Sequence, residues 1–308
     1  MRKLKFDLNV EPNALLCPNP QEFYSKAYIT EDIVDNYRPI PGVKSATKVA
    51  NVLFDNVLKA SACNFSAEPQ VLDAVDIDVC ALSAMAELCR FDLEASFVSL
   101  QMARGSNGAF DVPSFMAYYW DEMAKEIAQE IAELRWKGNV ASPVVNYLDL
   151  CDGYEAKFDA DEDIITTGWT PAAINSTNVL SQMAAVYAAL PGRVRALKRD
   201  LRFYVSSNVY ASYQLAAALG NTLTYVTESL GDTFLGIKLV ICDGMSDDTM
   251  VLTSKNNLIY AFDGEDDGKA LKAVNLEDSV AEPLLRTRAN IKVGFFYVNP
   301  TEIVYYSF

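Results

Sequence analysis

The chain has 308 residues, of which 51% are hydrophobic and 22% charged, and its formal net charge at pH 7 is −15. This length allows one large or two ordinary domains with a real core, and the negative charge argues against a protein that grips nucleic acid by neutralising phosphates. The sequence contains no histidine, which excludes Ser–His and Cys–His nucleophile pairs, imidazole-ligated zinc and histidine general bases. Carboxylate and lysine chemistry are the catalytic classes that remain.

The first residues, MRKLKFDLNVEP, are basic but lack the apolar region and small-residue cleavage site of a signal peptide. No apolar run approaches the ~18 residues that a membrane span needs. The cysteines are scattered without a CxxC pair among apolar or small neighbours, so we expect buried free thiols in a reducing cytosol. They are Cys17, Cys63, Cys80, Cys89, Cys151 and Cys242.

Residues 1–42 are rich in proline and have few periodic apolar positions. Because the residue before a proline favours extended backbone, this segment is predicted to be an arm rather than a packed element. Its basic tip, Arg2, Lys3 and Lys5, could contact a polyanion or the carboxylates of a partner, or could simply be a solvated terminus.

Residues 43–82 are predicted to form two strands around a long turn. In the second strand Val71, Val75, Ile77 and Val79 share one parity while Asp76 and Asp78 occupy the other, which is typical of a half-exposed strand, and Asp73 breaks the pattern. Since an isolated two-stranded hairpin is marginally stable, it must lie on another surface.

Two helices are predicted next. Ser83 is expected to cap the first, over about 84–98. The second, over 112–137, carries an apolar stripe on one face. Asp111 is its expected N-cap, and Gly138 is expected to end it in a left-handed conformation. The stripe consists of Met116, Trp120, Met123, Ile127, Ile131 and Leu134.

The rest of the chain alternates between helical and strand patterns. Helices are predicted over 178–190 and 208–219, where Pro191-Gly192 and Gly220 end them. The predicted strands are 201–206, 222–226, 234–242, 249–253 and two more around Asn299-Pro300.

Acidic clusters suggest a cation site only weakly. Asp159, Asp161 and Asp163 have the alternate spacing of a calcium loop, but Ile164 and Thr170 occupy the positions where that loop needs glycine and glutamate. The acidic turn 263–268 has the composition of an ordinary solvated turn. We therefore expect no metal and no organic cofactor.

A basic cluster stands out in this acidic protein, and it could meet an acidic face of a neighbouring copy or be a solvated helix end. It comprises Arg193, Arg195, Lys198, Arg199 and Arg202.

The last third of the chain carries a resemblance. The segments 201–220, 234–267 and 286–306 are similar, in residue type and order, to major capsid proteins of tailed bacteriophages, the HK-ninety-seven-like family. The matching positions are Tyr210, Gly236, Met245, Asp248, Asn257, Leu258, Asp263, Lys292, Gly294, Pro300, Tyr305 and Tyr306.

The resemblance implies an α+β fold with the family's plan. Residues 1–42 would be the N-terminal arm and 43–82 the extended E-loop hairpin. Residues 83–145 and 285–308 would form the P-domain, with 112–137 as its long spine helix, and 146–284 the A-domain.

The function implied is that of a major capsid protein, which is not an enzyme. It would self-assemble through pentamers and hexamers into an icosahedral shell around double-stranded DNA. The expected partners are other copies, together with portal, scaffold or decoration proteins, and DNA only by weak contact. Assembly is expected in the host cytoplasm, without a membrane, and the virion is the expected location.

Two alternatives stay open. An encapsulin-like nanocompartment shares this fold but lacks a long extended arm, so residues 1–42 favour the phage interpretation. A soluble α/β enzyme that uses carboxylates would instead be a small particle with a deep pocket of convergent acids. Under the capsid interpretation the candidate inter-subunit contacts are Arg2, Lys3, Lys5, Val71, Val75, Ile77, Val79, Arg193, Arg195, Lys198 and Arg199.

Overall fold

The computed structural model describes most of the chain. The described residues are 17, 19–28, 31–43, 47–53, 71–89, 112–143, 146–196, 198–219, 233–263, 271–276, 282 and 284–308. In chain order the helices and strands are α1 (Pro20–Tyr28), α2 (Glu31–Asn36), β1 (Arg38–Pro41), β2 (Thr47–Leu53), β3 (Val71–Ile77), β4 (Cys80–Cys89), α3 (Val112–Lys137), α4 (Tyr154–Ala160), α5 (Val179–Ala189), α6 (Gly192–Arg195), β5 (Leu201–Val205), α7 (Ser207–Leu219), β6 (Thr233–Phe234), β7 (Ile237–Ile241), β8 (Met250–Ser254), β9 (Leu258–Asp263), β10 (Leu271–Asn275), β11 (Leu284–Tyr297) and β12 (Val304–Tyr306).

The chain divides into two compact units. Unit one takes its described residues from 1–30, 81–130 and 263–292, and unit two takes them from 31–80, 131–262 and 293–308. Helix α3 and strand β11 each begin in unit one and end in unit two. The two longest elements are thus continuous across the division.

Unit one combines a small sheet with α1 and the first part of α3. Strand β10 pairs antiparallel with the first half of β11, from Leu271 opposite Ala289 to Asn275 opposite Leu285, and β4 also pairs with β11. The rings of Phe23 on α1 and Trp120 on α3 meet edge to face, with centroids 5.5 Å apart. Such contacts add to the hydrophobic gain of burying both rings.

Unit two is built around a sheet with the order β12-β8-β5-β7-β6, in which β5 and β7 are parallel and the other pairs are antiparallel. Helices α5 and α7 cover one face of this sheet. Their buried side chains, including Met183, Val186 and Val209, pack on Phe203 and Leu252 of the central strands. The alternation of strand side chains places every second residue of β5 in this core.

Unit two also contains β1, β9 and the hairpin formed by β2 and β3. Strand β9 lies between β1, with which it is parallel, and β11. Strands β2 and β3 form a separate two-stranded antiparallel sheet from Thr47 opposite Ile77 to Leu53 opposite Val71. The predicted hairpin is therefore present, while its turn lies outside the described residues.

The helix predicted over 84–98 is wrong where it can be compared. Residues 80–89 form strand β4, and exposure alternates along it, with Ser83, Met85 and Glu87 facing outward. The error has a physical cause, since the alanine-rich sequence CALSAMAELC suits a helix by intrinsic propensity, whereas pairing with β11 decides the outcome. Residues 90–98 lie outside the described part.

The prediction that residues 1–42 form an arm without packed elements is wrong for residues 20–41, which form α1, α2 and β1. In unit one Tyr24 and Tyr28 are buried, and the Tyr28 hydroxyl donates to the Asp263 carbonyl at 2.9 Å. In unit two Tyr37 is buried. Burial of these aromatic side chains outweighs the preference of the prolines for extended backbone. Pro20 does not interrupt α1, because it stands at the first helical position. Residues 1–16 lie outside the described part.

Strand pairings join distant parts of the chain in both sheets. Strand β12, at the end of the chain, pairs with β8 in the sheet of unit two. Strands β9 and β10 belong with β11 rather than with the sheet of α5 and α7. Strand pairing between distant segments decides both points, and local patterns do not reveal it.

The helix predicted over 112–137 is confirmed as α3, Val112–Lys137. The left-handed conformation predicted for Gly138 is wrong, because the described glycines with a positive φ are Gly42, Gly168 and Gly236. A Cβ on Gly138 would lie 2.3 Å from the Cys151 carbonyl oxygen. Close approach of another backbone therefore requires this glycine.

Among the described residues, no helix combines the length and the hydropathy needed to cross a membrane.

Candidate functional site

Backbone segments approach one another closely at the carboxyl end of α3. Three glycines allow backbone segments to touch there. A Cβ on Gly153 would lie 2.6 Å from the Trp136 carbonyl oxygen, and one on Gly244 would lie 2.1 Å from the Ala132 carbonyl oxygen. Since the obstructing atoms belong to the helix backbone, no side-chain movement could relieve these contacts.

Hydrogen bonds fasten the same segments. The Gly153 amide donates to the Gly138 carbonyl at 2.8 Å, and the Asn139 amide donates to the Leu148 carbonyl at 2.8 Å. The buried Glu155 carboxylate accepts from the Ser246 amide at 2.8 Å and from its hydroxyl at 2.6 Å. The first turn of α4 is thereby bound to the loop between β7 and β8. We call this region the helix-end hub; it consists of Tyr37, residues 135–138, 151–155, Tyr204 and 242–246.

The helix-end hub encloses a positive charge. Arg135 is 7% exposed, and its guanidinium carbon lies 4.7 Å from the ring centroid of Tyr37. Its Nε and Nη1 atoms have no hydrogen-bond partner in the described part of the chain. Cation–π attraction to the aromatic rings around it compensates for the burial of this charge. The rings of Trp136 and Tyr154, 5.2 Å apart between centroids, extend the same aromatic cluster.

Burial is the main cause of the shifted pKa values of ionisable groups near the helix-end hub. Burial raises the pKa of Tyr37 well above its ordinary value, although the nearby Arg135 opposes the shift. Burial lowers the pKa of Lys157 to about 8, against the attraction of Asp152 and Asp78. The Lys157 ammonium donates to the Phe295 carbonyl and lies 3.8 Å from the centroid of the Phe296 ring.

The base of the β2–β3 hairpin is fixed to unit two at two points. Cys80, just after β3, forms a disulfide with Cys151 of the helix-end hub. This corrects the expectation of free thiols for that pair, while Cys17, Cys89 and Cys242 remain reduced. The partners are 71 residues apart, so only the tertiary fold brings them together.

The second fixed point corrects the prediction for Ile77. This side chain is fully buried in its own chain, in a cluster with Val43, Ile259 and Ala261. It is therefore unavailable to a neighbouring subunit. Val79 is half-buried and packs on the same cluster.

The other predicted contact residues of the hairpin and arm are less fully described. Val71 pairs with Leu53 and Val75 with Val49 in the β2–β3 register, and their side chains lie outside the described part. Arg2, Lys3 and Lys5 also lie outside it.

The basic cluster is on the surface of unit two. Arg193, Lys198 and Arg199 are exposed, and Arg195 is half-buried with its guanidinium carbon 6.0 Å from the Tyr187 ring centroid. None of them takes part in a salt bridge among the described residues. Arg202 differs, because its Nη1 donates to the carbonyls of Arg199 and Leu201 at 2.9 Å each.

The acidic motif at 159–163 forms a turn. The Asp161 carboxylate accepts from the Asp163 amide at 3.0 Å and from the Tyr297 hydroxyl at 2.7 Å. In the described part of the chain, no three His, Cys, Asp or Glu side chains are grouped closely enough to hold a metal ion.

A surface missed by sequence analysis lies on unit one. The outward faces of β4, β10 and β11 line a shallow depression of about 460 Å³. Met85 is 72% exposed there, and Glu87 accepts from the Nε of Arg286 at 2.5 Å. The alternation along ALSAMAEL is the sequence signal for this surface, whereas the sequence analysis predicts a helix over about 84–98 from the residues that follow. The residues that line the depression are Met85, Ala86, Glu87, Lys272, Val274, Arg286, Thr287 and Arg288.

No family model and no curated protein matches the chain by sequence. Solved structures do match its fold over nearly the whole length. A chain in the structure of the satellite phage P4 procapsid, which includes the size-determination protein Sid, is 10% identical to this chain. The match has a TM-score of 0.60 and covers 93% of this chain and 96% of that chain.

Two further structures agree with this match. The capsid of an empty GTA particle is 14% identical with a TM-score of 0.54, over 92% of this chain and 90% of that one. The capsid of the Myoviridae phage XM1 is 12% identical with a TM-score of 0.54, over 89% of this chain and 90% of that one. The chain therefore has the fold of the HK-ninety-seven-like major capsid proteins of tailed bacteriophages.

Proposed function

We propose that this chain is a major capsid protein, which assembles with copies of itself into the icosahedral shell of a tailed phage and performs no catalysis. The matches to capsid structures over about nine tenths of both chains support this function. The observation that carries it is the β2–β3 hairpin. Its two seven-residue strands pair only with each other in the described structure, and its base is fixed to the rest of unit two through Ile77 and Cys80.

A hairpin of this kind needs a second surface, because two strands alone are marginally stable in water. In a shell, that surface belongs to a neighbouring subunit. Val71 and Val75 are the hairpin residues proposed to contact it. Ile77 is excluded because it is buried at home. The exposed cations Arg193, Lys198 and Arg199 are proposed to meet carboxylates of other copies, since the chain as a whole is acidic.

The proposed contents of the shell are packaged double-stranded DNA, held by weak contact. A net charge of −15 repels phosphates, so tight binding by the isolated subunit would have to overcome that repulsion. Portal, scaffold or decoration proteins are further proposed partners. Assembly in the host cytoplasm and residence in the virion follow from the same function.

The encapsulin-like alternative keeps the fold and the shell but encloses protein. The phage interpretation was favoured because residues 1–42 were expected to form a long extended arm. Residues 20–41 fold into α1, α2 and β1 instead, so they do not favour a phage capsid over an encapsulin-like compartment. The contents of the particle therefore separate the two functions.

The direct test is electron microscopy of the purified full-length chain after expression alone, followed by nucleic-acid and protein analysis of particles from infected or expressing cells. Closed shells of uniform diameter are expected. A monodisperse particle near the 34.0 kDa of one chain at every concentration tested would contradict the proposal. Shells filled with a foreign protein rather than DNA would favour the encapsulin-like alternative.

A further inference from the structure

The outer surface of α5 and α7 carries no charge. Neither helix contains an Asp, Glu, Lys or Arg residue, although 22% of the chain is charged. Both helices pack on the same sheet face and on each other, so their outward residues share one surface. Leu180 is 44% exposed and Leu215 is 52% exposed on it. The other outward residues are Ser181, Ala184, Ala188, Ala211, Gln214 and Ala218.

This composition is unusual for a helix face in water. A surface helix ordinarily carries charged residues on the face opposite the core, and a helix that is apolar all round is normally buried. Helix α3 follows the ordinary pattern, because its exposed positions include Glu122, Lys125 and Glu126. The uncharged face of α5 and α7 is not covered by any part of the chain that the structure describes.

The two ends of this face have opposite charge. Asp248 binds the first turn of α7 and the segment that leads into α5, because its carboxylate accepts from the Asn208 side chain at 2.8 Å and from the Ile174 amide at 3.1 Å. Exposed Asp247 lies beside it. At the other end, α5 is followed directly by α6 with Arg193 and Arg195. The face thus has an uncharged middle between an acidic end and a basic end. It is complementary in charge to a second copy that places its basic end against the acidic end of the first.

The basic end also carries an exposed apolar side chain in a strained conformation. Leu235, in the two-residue turn between β6 and β7, has φ of +51° and is 54% exposed. Such turns favour Asn-Gly, because a side chain like leucine is disfavoured at positive φ. The turn precedes β7, which is parallel to β5, and β5 itself follows the basic cluster, so both features share one end of the sheet. No contact in the described structure explains the choice of leucine.

We propose that the α5–α7 face, with Leu180 and Leu215 at its centre, is covered by a second copy of this chain in the assembled shell, with the Leu235 turn extending the contact at its basic end. This inference rests on the proposed function, because it names the surface through which copies of the subunit meet. It concerns unit two alone, and it is independent of the hairpin.

The test compares the full-length wild type with the double variant Leu180→Glu, Leu215→Glu by sedimentation velocity. The double variant is expected to keep the circular dichroism and melting temperature of the wild type, because both side chains are already half in water. The concentration needed for assembly should rise by ~10-fold or more, since charges would be desolvated at the contact. A matched control is Val140→Glu, Leu150→Glu, at positions 56% and 54% exposed elsewhere on unit two, which should assemble like the wild type.

The outcomes separate the inference from the proposed function. If the wild type forms no shells, the capsid function fails. If the wild type and the Leu180→Glu, Leu215→Glu variant assemble alike, the capsid function stands and this inference is overturned. Loss of assembly in the Val140→Glu, Leu150→Glu control as well would also overturn it, because the effect would then come from added charge alone.

A second measurement avoids dependence on the folding of the double variant. Ala184→Cys places a thiol on the same face, and its maleimide labelling is quantified by peptide mass spectrometry in assembled and unassembled protein. Assembly should slow the labelling by ~10-fold or more, as expected for an interface residue that becomes buried. Equal labelling rates would contradict the proposal. Sedimentation of unassembled protein with phosphatidylcholine–phosphatidylglycerol vesicles, lost in the glutamate variant, would assign the face to lipid instead and overturn it as well.

Discussion

The helix-end hub and the β2–β3 hairpin lie at opposite extremes of internal support. In the helix-end hub, backbones touch at Gly153 and Gly244, and a buried arginine is enclosed by aromatic rings. The hairpin has two strands, one ladder of hydrogen bonds and an anchored base. Under the proposed capsid function, this contrast predicts that the helix-end hub holds the fold and that the hairpin adapts to neighbouring copies without being needed for folding.

The largest effect is expected from filling the glycine contact of the helix-end hub. Gly244→Val should lower the free energy of unfolding by about 5 kcal/mol, because its Cβ would overlap the backbone at Ala132 and the helix cannot move aside. Urea unfolding followed by circular dichroism measures this. Gly192→Val is the control, since a Cβ there meets nothing within 4 Å and should change stability little. Similar midpoints for the two variants would show that the helix-end hub is looser than described.

The next largest effect concerns the disulfide that ties the hairpin base to the helix-end hub. Cys80→Ser should lower the free energy of unfolding by about 4 kcal/mol, because the bond closes a loop of 71 residues in the unfolded chain. Cys89→Ser, at a half-buried cysteine that is not in a disulfide, is the matched control. Thermal unfolding with and without reductant provides the measurement. A wild type that is insensitive to reductant would contradict the pairing.

A smaller, pH-dependent effect is expected at Lys157. Its folded pKa of about 8 lies below the ordinary value of 10.5, so between these pH values the unfolded chain binds a proton that the folded chain does not. Stability therefore rises with pH across this window. Relative to Lys157→Met, the wild type should gain about 2 kcal/mol between about pH 7 and about pH 9.5. A constant difference between the two proteins would mean that Lys157 titrates normally.

The sequence predicted features that depend on local patterns. The apolar spacing of α3 predicted its bounds, and alternation predicted the hairpin and its second strand, β3. The order of residues in the last third indicated the fold. Strand β4 was missed because its alanine-rich pattern has helical propensity, and only pairing with β11 makes it a strand.

Features created by long-range contacts could not be predicted in this way. The Cys80–Cys151 bond, the burial of Ile77 and the approach of Gly244 to Ala132 join segments that are far apart in sequence. The candidate surfaces show the same limit. The basic cluster was visible as a run of residues, whereas the uncharged face of α5 and α7 is recognised only once both helices are known to cover one side of a sheet.

The most direct test of the central claim, that the fold is independent of the hairpin while assembly requires it, is a deletion of residues 46–74 bridged by a short Gly/Ser linker. The deletion keeps Ile77 in its buried cluster, so circular dichroism and the urea midpoint should stay near those of the wild type. Sedimentation velocity should then show small folded particles where the wild type forms shells. An unfolded aggregate, or shells that form as readily as those of the wild type, would contradict the account.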